Sequence, residues 1–213
     1  VGSHFITDVR QPYGYGMNNS AHRWANLRIQ KTLWQKFTRR YPSTPFHFYI
    51  QHEGVLDYWD ISSIRASYEA YLIQSVRDAE KVRPGRAVLW SPAAWEGVPF
   101  SWFERRQIKK TFLRIRSASN GRGITWLHLQ DMMGRGRADV TKEDVRSWYR
   151  ALKRMRLFAS LAVNMEHFTR RPGYYGPEEA KVIQEREDWY QRNGVLLGAS
   201  WEARQWMPTH AEL

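Results

Sequence analysis

The chain has 213 residues, enough for one domain with a sizeable core, and its lack of cysteine excludes a disulfide framework and a thiolate metal site. Thirty-three Lys and Arg against 21 Asp and Glu leave a net charge of +12, which points to a solvated Arg-rich surface or to an acidic partner such as nucleic acid or an anionic polysaccharide. No apolar run reaches the roughly 18 residues of a membrane span, and the opening "VGSH" shows no signal-peptide pattern.

In chain order, short apolar runs of strand type alternate with amphipathic helical segments, the rhythm of a parallel sheet in an α/β fold. "SHFITD" (3–8) is the first strand candidate. The Gly-rich "QPYGYG" follows, carrying Tyr13 and Tyr15. Residues 20–41 then place Trp24, Leu27, Trp34 and Phe37 on one helical stripe, closed by Pro42. "FHFYIQHE" (46–53) is the next strand. It leads to a helix over 61–82 with Ile64, Tyr68, Leu72, Val76 and Ala79 on its stripe. "RAVLWSP" (86–92) precedes a helix to about 117, which Ser101 and Glu104 open as a capping box. "ITWLHLQD" (124–131) precedes another, started by Thr141 and Asp144 and carrying Val145, Trp148, Leu152 and Met155. "SLAVNMEHF" (160–168) is followed by the loop "RRPGYYGPEE" and by a last helix, with Pro177 as its first residue and Gly194 at its end. "GVLLGASWE" (194–202) closes the series.

Each strand candidate ends on a polar residue: Asp8, Glu53, Ser91, Asp131, Glu166 and Glu202. In a parallel α/β fold the carboxyl ends of the strands share one face, and that face holds the active site. Acids far apart in sequence therefore converge. This accounts for a run as apolar as "SLAVNMEHF" carrying Asn164 and Glu166, since buried polar groups are costly unless partnered or used. The sequence leaves two architectures open. Counted back from the C-terminus, the six units are strands 3–8 of a (β/α)8 TIM barrel, a single partial domain over 1–213, with strands 1 and 2 on a missing N-terminal segment or a second chain. Otherwise they form an open six-stranded sheet.

The eleven Trp and eleven Tyr are an unusual load. Trp24, Trp34, Trp148 and Trp189 fall on helix stripes and read as core. Trp90, Trp95, Trp126 and Trp201 lie in or just past strands, and Trp90 and Trp201 are candidates for stacking on a sugar ring. Tyr15, Tyr174 and Tyr175, on Gly-flanked loops, are candidate walls of the same site. The seven His show no HExxH or similar spacing, "GRGRAD" lacks Walker spacing, and Ser91 lacks the glycines of a nucleophile elbow. No metal and no cofactor is therefore expected.

Four motifs, "FHFYIQHE", "AVLWSP", "ITWLHLQDMMG" and "LAVNMEHF", fall in order over 46–168. They resemble the successive strands of an uncharacterised bacterial domain family with a glycoside-hydrolase-like TIM barrel, in particular its QDxxG and VNxExF strands. The resemblance implies a (β/α)8 barrel, carbohydrate chemistry and, by analogy, a secreted or cell-envelope setting. With Glu53 ending strand 4 and Glu166 ending strand 7, the placement is also similar to that of the retaining barrel glycosidases. It implies Glu53 as acid/base and Glu166 as nucleophile, although that clan has Asn where His52 stands here. Such chemistry uses two carboxyl groups, about 5–5.5 Å apart for retention or about 6.5–9.5 Å for inversion. The expected substrate-binding set is Asp131, Gln130, Asn164, Trp201, Glu202, Tyr174, Tyr175, Tyr15, Trp90 and Asp8. For Glu53, Glu166 and Glu202 the competing reading is an ion pair with one of the many Arg residues, and for Asp131 an N-cap or a loop-anchoring Asx turn.

Three functions follow: a glycoside hydrolase acting on an oligo- or polysaccharide, with an anionic one suggested by charge alone; a carbohydrate-binding barrel without turnover; and a basic domain that binds nucleic acid or another polyanion.

Overall fold

The computed structural model describes residues 20–50, 52, 54–56, 59, 61–94, 99–134, 140–172 and 174–198, and of Tyr174 and Tyr175 the backbone only. Eleven elements follow in order: α1 (Ser20–Arg40), β1 (Phe48–Ile50), α2 (Ser62–Val82), β2 (Val88–Trp90), α3 (Trp102–Ala118), β3 (Trp126–Gln130), α4 (Lys142–Met155), β4 (Ser160–Asn164), β5 (Phe168–Arg171), β6 (Tyr174–Pro177) and α5 (Ala180–Arg192). Both expected capping boxes form. The Ser101 hydroxyl accepts from the Glu104 amide at 3.1 Å, and the Thr141 hydroxyl accepts from the Asp144 amide at 3.2 Å. In α4, Val145, Trp148, Tyr149, Leu152 and Met155 make the buried stripe. Gly194, at φ 71°, takes the left-handed turn that stops α5.

β1, β2, β3 and β4 are parallel and neighbour one another in sequence order, and Leu197 bridges to Val163 at the β4 edge. The order never reverses, so each crossover returns a helix to the same side. Register decides what that side contains. Phe48 pairs with Val88, Ile50 with Trp90, Trp90 with Leu127, and Leu129 with Val163. These residues share one face, and the helices pack on it: Trp34 of α1 lies 4.7 Å from Phe48, and Phe112 of α3 lies 6.1 Å from Trp90. The opposite face carries Tyr49, Leu89, Trp126, His128, Gln130, Ala162 and Asn164. It is apolar at Leu89 and polar toward the carboxyl ends of β3 and β4. Trp34, Trp59, Trp90 and Trp148 are fully buried. Each contributes about 4–6 kcal/mol from area alone, before chain entropy is counted.

Several expectations need correction. Among the described residues there is a four-stranded parallel sheet and no closed barrel. The stretch 160–168 is not one strand: β4 ends at Asn164, and Phe168 begins β5, which pairs antiparallel with β6. The "RRPGYYGPEE" loop is therefore mostly a hairpin. Pro177 ends β6 opposite Phe168 rather than opening α5, which begins at Ala180. A strand end tolerates a residue with no N–H to give. Trp24 is 55% exposed and not core, while Trp34 and Trp148 are buried and Trp189 is partly so. Within 194–198 only the bridge at Leu197 is strand-like. The 3–8 strand lies outside the described residues. No helix among those residues is long and apolar enough to cross a membrane.

Candidate functional site

The carboxyl ends of β2, β3 and β4 bring Ser91, Gln130, Asp131, Asn164 and Glu166 into one buried polar region. Ser91 is its hub. The Asn164 side-chain amide donates to the Ser91 hydroxyl at 2.9 Å, and that hydroxyl donates to the His128 carbonyl at 2.6 Å. The Gln130 side-chain amide donates to the Ser91 carbonyl at 2.9 Å. Three adjacent strands are thus cross-tied through one small residue. Both amide side chains are held on the sheet face away from the helices.

Asp131 lies just past β3 and is fully buried. Its Oδ1 accepts from the Glu166 amide at 3.0 Å and from the Met133 amide at 3.4 Å. Its Oδ2 faces the Arg186 Nη1 of α5 at 3.5 Å. The other guanidinium nitrogen, Nη2, donates to the Glu166 carbonyl. Asp131 and Arg186 therefore grip the backbone of Glu166 on both sides. Burial pushes the Asp131 carboxyl above its ordinary range, while Arg186 and the two amides pull the other way. Burial likewise raises the Tyr190 phenol, with Asp131 and Glu166 among the charges that act on it. The two acids and this tyrosine share one enclosed region. Asp131 thus anchors the following turn through the Met133 amide and also pairs with Arg186, a partner the sequence does not indicate.

The "QDMMG" segment is shaped by contact with the "NMEHF" segment. Met132 is buried in the left-handed region at φ 58°. A Cβ on Gly134 would stand 2.3 Å from the Phe168 carbonyl oxygen and 2.8 Å from the Glu166 Cβ, so only glycine fits. Glu166 itself is 1% exposed.

The expected site residues distribute as follows. Gln130, Asp131, Asn164 and Glu166 come together. Trp90 does not join them: register turns it to the helix side, where Trp59 stacks on it at 5.7 Å and its indole N–H donates to the His52 carbonyl at 2.7 Å. No face of it is open for a sugar ring. Tyr174 and Tyr175 are on β6, opposite Arg171 and Arg170. Asp8, Tyr15, Glu53, Trp201 and Glu202 lie outside the described residues.

Two participants were not singled out from sequence. Arg186 sits on the buried stripe of α5 with Ile183 and Tyr190, and an arginine at a stripe position is the signal that marks it. His128, two residues before Gln130 on the same sheet face, is 7% exposed. Burial lowers its imidazole, with Asn164 opposing. Strand alternation from Gln130 was the available clue.

No protein-family model matches this chain. No curated protein matches it in sequence. Among solved structures, a candidate α-L-fucosidase from Bacteroides thetaiotaomicron superposes with a TM-score of 0.56 at 13% identity, over 84% of this chain and 55% of that one. An intracellular xylanase from Thermoanaerobacterium saccharolyticum gives a TM-score of 0.47 at 8% identity, over 89% and 59%. The chain spans little more than half the length of these two structures. At 13% identity the first likeness is one of fold, a mixed α/β chain matched to part of that larger protein.

Proposed function

We propose that this chain is a carbohydrate-active barrel domain. In this reading β1–β4 are strands 4–7 of a (β/α)8 barrel, with residues 3–8 and 194–202 as strands 3 and 8. Strands 1 and 2 come from a further segment or a second chain. The observation that carries the reading is the polar region at the carboxyl ends of three consecutive parallel strands, on a sheet whose helices pack on one face. That is where a barrel places its chemistry. The likeness in fold to a candidate fucosidase supports the same architecture.

The reaction proposed is glycoside hydrolysis. Glu53 serves as acid/base and Glu166 as nucleophile. Gln130 and Asn164, with His128 beside them, present hydrogen-bonding groups to sugar hydroxyls. Asp131 is a positioning residue: through Arg186 and the Glu166 amide it fixes where Glu166 stands. Tyr15, Tyr174, Tyr175 and Trp201 remain proposed ring contacts, with Asp8 and Glu202 at the margins.

The test is a glycan panel assayed with the parent protein and with Glu53→Gln and Glu166→Gln. Loss of about a thousandfold in turnover in both variants, with folding intact, is the expected result. Hydrolysis that survives both substitutions overturns the assignment.

One observation favours a second reading, a carbohydrate-binding barrel without turnover. Glu166 is 1% exposed, and its neighbouring acid is held in a buried ion pair. Glycan binding with no hydrolysis of any panel member, unaffected by Glu166→Gln, supports that reading.

A further inference from the structure

Two grooves of about 280 Å³ each lie along the helices and share no lining residue with the polar region at the strand ends. They differ in charge. The groove along α2 and α3 is lined by Arg65, Glu69 and Arg114, and its cations are committed: Arg114 pairs with Glu69 at 3.2 Å, and Arg65 donates to the Trp59 carbonyl. Among the described residues, the groove between α3 and α4 has no acid in its lining. Arg105, Arg106 and Lys109 of α3 face Arg154 of α4 across a floor of Trp102, Ala151 and Met155. None of these four cations forms an ion pair with a described acid. Trp102 is 64% exposed, and the Arg106 guanidinium lies over its ring at 5.3 Å. Trp102, Arg105, Arg106 and Lys109 are spaced i, i+3, i+4, i+7 and so form one stripe, about 10 Å long at 1.5 Å per residue.

Four like charges around an apolar floor repel one another, and a partner carrying negative charge relieves that repulsion. Three of the four are Arg, whose planar fork matches a carboxylate. The stripe is too short for the roughly four or more nucleotides that single-strand sites engage, and it offers one aromatic platform rather than a series. We propose that the groove between α3 and α4 binds a short stretch of uronate-bearing glycan. Its carboxylates lie on Arg105, Arg106, Lys109 and Arg154, and a ring edge lies against Trp102. The groove is separate from the strand-end region, so it tethers a polymer without hydrolysing it. The inference rests on the carbohydrate reading only in choosing a glycan over another polyanion.

The test measures binding of the intact chain to polygalacturonate, to its fully methyl-esterified form and to oligothymidylate. The esterified polymer is expected to bind about tenfold or more weakly, since it lacks the charged acceptors. The variant Arg105→Gln/Arg106→Gln/Arg154→Gln is expected to lose a similar factor. Arg28→Gln/Lys36→Gln/Arg39→Gln on α1, with the same change in net charge, is expected to lose no more than about twofold from bulk charge. If the groove variant does not fold, the single charge reversal Arg154→Glu takes its place. Three outcomes overturn the proposal: no binding of polygalacturonate, equal losses in both triple variants, or tighter binding of oligothymidylate that the groove substitutions abolish. Hydrolysis and binding fail separately. If polygalacturonate binds the groove while no glycan is cleaved, only the catalytic reading falls. If a glycan is cleaved while the groove variant binds normally, only the groove proposal falls.

Discussion

Arg186 of α5 reaches Asp131 at the end of β3 with an Nη1 to Oδ2 distance of 3.5 Å, and the two side chains are 5% and 0% exposed. A pair so enclosed gains little over an apolar pair, but breaking it strands a charge. Arg186→Met should therefore destabilise by about 3–5 kcal/mol in urea unfolding. Adding Asp131→Asn to that variant should recover part of the loss, since no uncompensated carboxylate remains. Strict additivity of the two substitutions would show that the pair is uncoupled.

Gly134 bears on the same region from the other side. Alanine there sets a Cβ 2.3 Å from the Phe168 carbonyl oxygen, and backbone cannot move aside as a side-chain tip can. Gly134→Ala should cost at least about 1–3 kcal/mol, read from the thermal unfolding midpoint. If glycan hydrolysis is found, that variant should lower it as well, because the displaced segment is the one that packs on Glu166. Unchanged stability would mean that the two segments separate easily.

Ser91→Ala removes the acceptor of the Asn164 amide and the donor to the His128 carbonyl. Both groups are buried, so a loss of about 1–3 kcal/mol is expected. Ser91→Thr keeps the hydroxyl but adds a methyl at a fully buried position. It should also destabilise, through overpacking.

The pH response is set in part by His52. Its ring stacks on Tyr68 at 5.2 Å, and burial lowers its imidazole from 6.5 to about 3. Between those values the unfolded chain holds a proton that the folded one refuses. Stability from this residue is complete above about 6.5 and is lost as pH falls toward 3. His52→Phe keeps a neutral ring in both states. The midpoint of the parent should fall more steeply with acid than that of the variant. Asp131, raised rather than lowered, is present in both proteins and cancels from the comparison. Parallel curves would show that His52 is solvated when folded.

Much of this was readable from the chain. Ser101–Glu104 and Thr141–Asp144 announce their helices because a capping box is local chemistry, complete within four residues. The four strands are legible as short runs rich in large apolar residues, bounded by polar ones, whose helix-side positions are buried. That same property hides orientation. "VLW" has no alternation to tell that Trp90 faces the helices, and only the register with Ile50 and Leu127 decides it. Pro177 fits a helix start by type, but its antiparallel partner Phe168 claims it for β6. Trp24 has the stripe spacing of a core residue, and nothing in α1 itself shows that no neighbour covers it. Arg186 is not legible from sequence because its partner, Asp131, is 55 positions away; its value is in the pairing, which sequence spacing does not express.

The unreversed strand order also limits how this scaffold can change. Neighbouring parallel strands present equal parity to the same side, so inserting or deleting one residue inside β3 would turn His128 and Gln130 into the helix layer and expose Leu127 and Leu129. The interior spelling of each strand is in this sense frozen in length. New specificities are open to it by exchange at alternate positions, or by lengthening the connections beyond Asp131 and Glu166, where an added residue leaves the reading frame of the sheet undisturbed.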